Sequence, residues 1–177
     1  SWAPLGGGMN DDVEALAVFD DGSGPALFAG GRFTTAGGTP TICIAKWNGT
    51  SWSSVGGGVN GVVYAFAVHD DGSGPALYAG GDFTLAGGVA ATHVARWNGT
   101  SWSYLGGGTD LTVRSLSVVD DGNGPALFAG GAFELAGVTP AHRIAKWNGT
   151  SWSALGSGVD GAVRAMTEYD DGYCNGP

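Results

Sequence analysis

The apolar blocks of this chain are short, are separated by glycine-rich turns, and recur every 50 residues. The block Val63-Tyr64-Ala65-Phe66-Ala67-Val68 has counterparts at 13–18 and 113–118, and Trp47, Trp97 and Trp147 stand in register. Self-similarity at a fixed period is the signature of a repeat architecture. Counting from Ser1, Ser51, Ser101 and Ser151, the single segment 1–177 divides into repeats 1–50, 51–100 and 101–150 and a partial repeat 151–177, about three and a half in all.

Within a unit the pattern predicts four short strands. The first is apolar on both faces, as a strand sandwiched between neighbouring sheets should be. Period-two alternation places Val63, Ala65 and Ala67 on a small face, with Val13, Ala15 and Ala17 and then Val113, Ser115 and Ser117 at the same positions. Leu16, Phe66, Leu116 and Met166 are the knobs opposite. An acidic turn, DDGSGP at 20–25 and 70–75 and DDGNGP at 120–125, leads into the second strand.

That second strand ends in Gly30-Gly31, Gly80-Gly81 or Gly130-Gly131. Glycine inside a strand marks a bulge or a close approach, for which Trp47 or Trp52 is the expected partner. The third and fourth strands meet in WNGTSW, where Asn48-Gly49 predicts a two-residue hairpin turn. Trp47 then lies opposite Thr50, Ala45 lies opposite Trp52, and the indoles are diagonal neighbours on one face. Each unit thus carries an aromatic plate, Trp47 with Trp52, Trp97 with Trp102, and Trp147 with Trp152, for a neighbouring unit to cover.

Four antiparallel strands in about 50 residues make a β-propeller blade, which buries its faces against the next blade. A β-solenoid is the competing reading, but its coils are shorter and seldom hold so many hairpin turns. The expected fold is therefore all-β, a series of four-stranded blades forming an incomplete ring.

Composition sharpens this picture. Thirty-five glycines with 13% charged residues would suit disorder, but seven Trp, seven Phe and five Tyr argue for a packed β-rich protein. Seven basic residues against sixteen acidic give a net charge of −9, which excludes a phosphate-neutralising surface for nucleic acid and attraction to an anionic membrane. No stretch approaches the roughly 20 apolar residues of a membrane span. SWAPLGGG lacks the basic and apolar regions of a signal peptide, so any export signal is expected upstream or already removed.

Candidate chemistry is sparse. His69, His93 and His142 sit at three different phases of the repeat and define no shared constellation, so neither catalysis nor a cofactor is expected. Cys43 corresponds to His93 and Arg143, which makes Cys43 and Cys174 unpaired or singly bridged residues, not metal ligands or nucleophiles. The pairs Asp20-Asp21, Asp70-Asp71, Asp120-Asp121 and Asp170-Asp171 offer two carboxylates each, short of the six to eight oxygens calcium takes; they read as turn chemistry. Asn48, Asn98 and Asn148 each begin Asn-Gly-Thr at an exposed hairpin tip and are candidate glycan acceptors in a cell that glycosylates. Positions that differ between units, such as Glu14, Tyr64, Arg114 and Arg164, are where a specific surface would lie.

The run LYAGGDFTLAGGVAATHVARWNGTSW resembles the delta-sixty repeat of bacterial secreted propellers. It is similar to the repeats of fungal cortical polarity-marker ectodomains and, more distantly, to kelch blades. Gly30, Gly31, Phe33, Trp47 and Trp52 have counterparts in both later units, so the likeness covers the whole chain. It implies a secreted or cell-surface propeller, a structural or interaction module whose partner is a protein, itself included, or a glycan. Such propellers close a ring with further blades, so this chain is expected to belong to a longer polypeptide or to assemble as a homo-oligomer or an open filament. The same hairpin is similar to that of bacterial propeller lectins, which implies carbohydrate binding as the alternative, with avidity from repetition. Against it, the indoles lie on the face that packs.

Overall fold

The computed structural model describes residues 4–168. Asp170-Asp171 and Cys174 lie outside them. The described chain is all β, built as three four-stranded antiparallel sheets of similar size. Sheet 1 comprises Val13–Asp20, Pro25–Gly31, Ile44–Trp47 and Trp52–Ser54. Sheet 2 comprises Val62–Asp70, Pro75–Asp82, Val94–Trp97 and Trp102–Tyr104. Sheet 3 comprises Val113–Asp120, Pro125–Gly131, Ile144–Trp147 and Trp152–Ala154. In each, spatial order equals chain order, so local turns make every pairing and no strand crosses over. No ring closes among the described residues.

An extra two-stranded hairpin, such as Thr35–Ala36 with Thr39–Pro40, interrupts each unit between its second and third long strands. Gly37 and Gly38 supply its turn with φ of 55° and 78°, a conformation that glycine adopts without strain. Under it sits a buried phenylalanine, Phe33, Phe83 or Phe133.

The sheets stack face to face. One cluster joins Phe19, Phe28 and Ile44 of sheet 1 to Val63, Leu77, Trp97 and Trp102 of sheet 2. Another joins Ala67, Tyr78 and Val94 of sheet 2 to Val113, Leu116, Leu127, Trp147 and Trp152 of sheet 3. The apolar faces read from the sequence are buried where two sheets meet, while the outer face of sheet 1, with Leu16 and Val18, is exposed.

Three local readings are corrected. The first strand is not a simple alternation: its register shifts between Val13 and Ala15, between Val63 and Ala65, and between Val113 and Ser115. The bulged residue, Glu14, Tyr64 or Arg114, rotates the preceding valine onto the other face. Val63 therefore packs with Phe66 against sheet 1, while Ala65 and Ala67 pack against sheet 3.

The second correction concerns the glycine pairs, whose partners are not the tryptophans. A Cβ on Gly30 would lie 2.6 Å from Val63 Cγ1 and 2.8 Å from Phe66 Cζ, both on the next sheet. Gly80 meets Val113 and Leu116 in the same way, and Gly130 meets Val163 and Met166. Gly31, Gly81 and Gly131 instead face the backbone carbonyls of Asp12, Val62 and Thr112. The glycines thus seat the knobs of the following unit, a long-range relation that the strand pattern does not encode.

Third, the hairpin loop is four residues, 48–51, not two. Asn48 Oδ1 accepts the amides of Thr50 and Ser51, both at 2.9 Å, and Asn48 N donates to Ser51 O at 3.3 Å. Only Gly49 takes a positive φ, 96°, whereas the two-residue turn expected here needs it at both central positions. Trp47 and Trp52 are consequently direct cross-strand partners, with ring centroids 5.3 Å apart.

Candidate functional site

The repeated structural element with the most chemistry is the joint between successive sheets. It begins with the connector after each fourth strand. In Val55-Gly56-Gly57-Gly58-Val59 the three glycines have φ of 53°, 84° and 75°. The connector binds the unit it leaves, through Val59 N to Ile42 O at 3.1 Å, and the small hairpin of the unit it enters, through Gly87 N to Gly58 O at 2.8 Å. Its Val55 carbonyl accepts the indole Nε1 of Trp102 at 3.2 Å. Trp52 donates to Leu5 O and Trp152 to Leu105 O, each at 3.0 Å. Gly56 and Gly106 lie against Trp97 and Trp147, leaving no room for a side chain.

Trp52, Trp97, Trp102, Trp147 and Trp152 are all buried, and Trp47 is half-buried. These rings are covered by glycine-rich backbone, and burying them relieves water of large apolar surfaces.

At the rim of the joint lie the acidic turns. The first aspartate of each pair organises its own turn: Asp20 Oδ1 accepts Gly22 N and Gly24 N, both at 2.9 Å, and Asp70 and Asp120 repeat this. The second aspartate meets a cation 25 residues on. Lys46 Nζ donates to Asp21 at 2.6 Å, Lys146 Nζ to Asp121 at 2.6 Å, and Arg96 Nε lies 4.0 Å from Asp71. The constant spacing from Asp21 to Lys46, Asp71 to Arg96 and Asp121 to Lys146 was a usable signal that the reading by strands passed over.

Asp71 does more than its counterparts. Its carboxylate accepts Trp147 Nε1 from sheet 3 at 3.2 Å, while Gly149 of that sheet lies against its backbone carbonyl. Burial opposes its charge, but hydrogen bonds from Ser73 and Trp147 prevail and hold its carboxyl below the usual range. Tyr78 Oη lies beside it without reaching hydrogen-bond geometry, and burial with this carboxylate pushes the phenol well up. At the previous joint Asp21 turns to Lys46, and buried Trp97 Nε1 is left without a partner among the described residues.

The remaining sequence candidates are dispersed. Asn48, Asn98 and Asn148 stand exposed at their hairpin tips with Oδ1 engaged in the loop. His93 is buried, and its Nδ1 lies 2.8 Å from Thr109 O, so the proton sits on Nδ1. His142 pairs at 2.8 Å with Glu134, which also binds Arg143; these bonds, Arg143 first, hold the Glu134 carboxyl low. His69 lines a cleft between sheets 2 and 3. Cys43 is buried, and burial pushes its thiol up. Among the described residues, no three His, Cys, Asp or Glu side chains converge as a metal site would require.

Two further features recur from unit to unit. Cys43, His93 and Arg143 take φ of 60°, 64° and 79°, a region unfavourable to side-chain-bearing residues. Both backbone groups of each are hydrogen-bonded, as with Cys43 N to Phe33 O at 2.9 Å and Gly31 N to Cys43 O at 3.0 Å, so the surrounding structure over-determines the conformation. The bulge residues also form a row across all three sheets. Tyr64 stands between Arg32, 5.9 Å from its ring centroid, and Arg114, at 5.2 Å, with Glu14 3.5 Å from Arg32.

No protein-family model matches this chain, nor does any curated protein or solved structure.

Proposed function

We propose that the chain is a run of consecutive β-propeller blades acting as an extracellular structural or interaction module, of the secreted delta-sixty and kelch-like kind, without catalysis of its own. The observation that carries this reading is the joint repeated between successive sheets: a knob pair seated on a glycine of the preceding unit, and an indole bonded to the connector. Val63 with Phe66, Val113 with Leu116, and Val163 with Met166 occupy the same seat on Gly30, Gly80 and Gly130. The corresponding face of sheet 1 is open, with Leu16 and Val18 exposed by 61% and 66%. A further unit of the same kind, from the same polypeptide or from another copy, covers it in the native assembly. Burial of this apolar surface drives the association.

The indoles are committed to packing, so the carbohydrate-binding alternative has to use another surface. Asn48, Asn98 and Asn148 carry glycans where the producing cell attaches them. Electron microscopy of the native protein, combined with its intact mass, tests the module. Closed rings with a repeat number matching the mass are expected. Successive sheets winding into one helical tube would overturn the propeller, and fibres would place the closing contact between copies.

A further inference from the structure

We propose that the row Glu14, Tyr64, Arg114 and Arg164 is a self-complementary surface that pairs two copies of this chain antiparallel about a two-fold axis. These residues share one phase of the repeat, and the first strands of successive sheets lie against one another. Tyr64 ties the row together, with Arg32 Cζ 5.9 Å and Arg114 Cζ 5.2 Å from its ring centroid. Arg164 continues it, because Val163 Cγ1 lies 2.5 Å from a Cβ on Gly130 just as Val113 Cγ1 lies 2.6 Å from one on Gly80.

Charge is distributed unevenly along this row. Of the seven basic residues, four face carboxylates elsewhere: Lys46 with Asp21, Arg96 with Asp71, Lys146 with Asp121, and Arg143 with Glu134. The other three are Arg32, Arg114 and Arg164. Arg32 meets Glu14 at 3.5 Å, whereas Arg114 and Arg164 have no carboxylate partner among the described residues. Acid gathers at the opposite end, where Asp11, Asp12 and Glu14 are exposed; the same positions hold Leu111, Thr112 and Arg114 in the third unit. The row therefore runs from negative in the first unit to positive in the third and fourth.

Reversed, this order is its own complement. A two-fold axis between Tyr64 and Arg114 sets Glu14 against Arg164 of the second copy and Tyr64 against Arg114 of the second copy, and symmetry repeats both contacts. Ion pairs form at the ends and cation–π contacts at the centre. Asp82 is the acid that interrupts the gradient. It stands at the position of Arg32, which touches both Glu14 and Tyr64, so it falls at the centre, where Arg114 of each copy offsets it.

A second copy suits the row better than a foreign acidic chain, which Asp12 and Glu14 would repel at one end. With sheets about 10 Å apart the row is about 30 Å long, several Debye lengths of about 8 Å, so each charge responds to what it touches. The net charge of −9 makes two copies repel at a distance, and the attraction has to come from this contact. The proposal goes beyond the module reading: the surface is charged and aromatic, whereas the open face of sheet 1 presents Leu16 and Val18. Charge substitutions separate the two.

The test is sedimentation velocity on the full chain across a concentration series, with folding checked by circular dichroism. The wild type should form a dimer. Glu14→Arg and Arg164→Glu, each of which turns both end pairs into like charges, should separately weaken it about a hundredfold. Mixed in equal amounts, these two variants should form a heterodimer within about tenfold of wild-type affinity, since every end pair is then restored with its sign exchanged. Glu14→Gln and Arg164→Gln, milder at the same exposed positions, should each weaken the dimer about tenfold. A wild type that stays monomeric overturns the proposal. A dimer untouched by the substitutions does so too, and places association on an uncharged face such as the open side of sheet 1. Variants that lose the dimer singly but do not recover it when mixed overturn the antiparallel pairing.

Discussion

Substituting Gly80 by alanine tests the stacking of sheets most directly. Gly80 lies in the second strand of sheet 2, and its φ is not positive, so the backbone accepts alanine. Loss of glycine's freedom in the unfolded chain would by itself stabilise the protein by about 0.4–1 kcal/mol. The new Cβ, however, would sit 2.6 Å from Val113 Cγ1, 3.2 Å from Leu116 Cγ and 3.3 Å from Leu116 Cδ1. Carbon contacts are comfortable at about 3.5–4.0 Å, so the closest pair overlaps by about 0.9 Å in a joint with no room on either side. Overpacking of this kind costs about 1–3 kcal/mol and wins over the entropic gain. Gly80→Ala should therefore lower stability by about 1–2 kcal/mol.

Val113→Ala supplies the counterpart. Removing two buried carbons costs about 1.6 kcal/mol at roughly 0.8 kcal/mol each, and the cavity brings this to about 2 kcal/mol. In the double variant the methyl introduced by Gly80→Ala enters the space Val113 vacates, so the combined loss should be about 1–2 kcal/mol below the sum of the single losses. Urea unfolding followed by tryptophan fluorescence measures all four proteins of this cycle, provided the m-values agree. A neutral or stabilising Gly80→Ala would refute the seat described for the knobs. So would rescue by Trp97→Phe or Trp102→Phe in place of Val113→Ala, because it would return the glycine pair to the indoles.

Asp71→Asn should cost about 1 kcal/mol at pH 7, the difference between a charged and a neutral acceptor for Trp147 Nε1. Because the folded carboxyl titrates below its ordinary value, its contribution is complete above about pH 3.9 and is lost as pH falls through the folded value. The gap between wild type and variant in acid unfolding should close there; a gap constant down to pH 2 refutes the assignment. Trp102→Phe and Trp152→Phe each remove a bond from a buried indole to a connector carbonyl and should destabilise by about 1–3 kcal/mol, read from urea midpoints. Protein secreted from a glycosylating cell should lose mass on treatment with an N-glycan-releasing enzyme, and replacing Thr50, Thr100 and Thr150 by alanine should abolish that loss.

The sequence by itself determined the period, the four sheet-forming strands of each unit, and the acidic and Asn-Gly turns, but not the extra two-stranded hairpin. Each of these rests on contacts within a few residues: alternation along a strand, a side chain capping its own turn, glycine where φ is positive. Asp20, Asp70 and Asp120 bind amides two and four residues away, and that is why DDGSGP could be read as a turn without a structure. The closeness of Trp47 to Trp52 was also legible, because a two-residue and a four-residue loop through Asn48-Gly49 both put them on one face, and the loop proved to be four residues.

Partners that belong to another repeat were decided only by the tertiary structure. Gly80 is small because of Val113 and Leu116, more than 30 residues on, and a one-residue bulge at Arg114 determines which face that valine joins. Asp71 reaches across the joint, as Asp21 does not, to an indole 76 residues away. A 50-residue period places equivalent residues in equivalent surroundings, but says nothing about which face of one sheet meets which face of the next. That choice follows from the packing of whole sheets, where volume and hydrogen bonding across the joint are satisfied together.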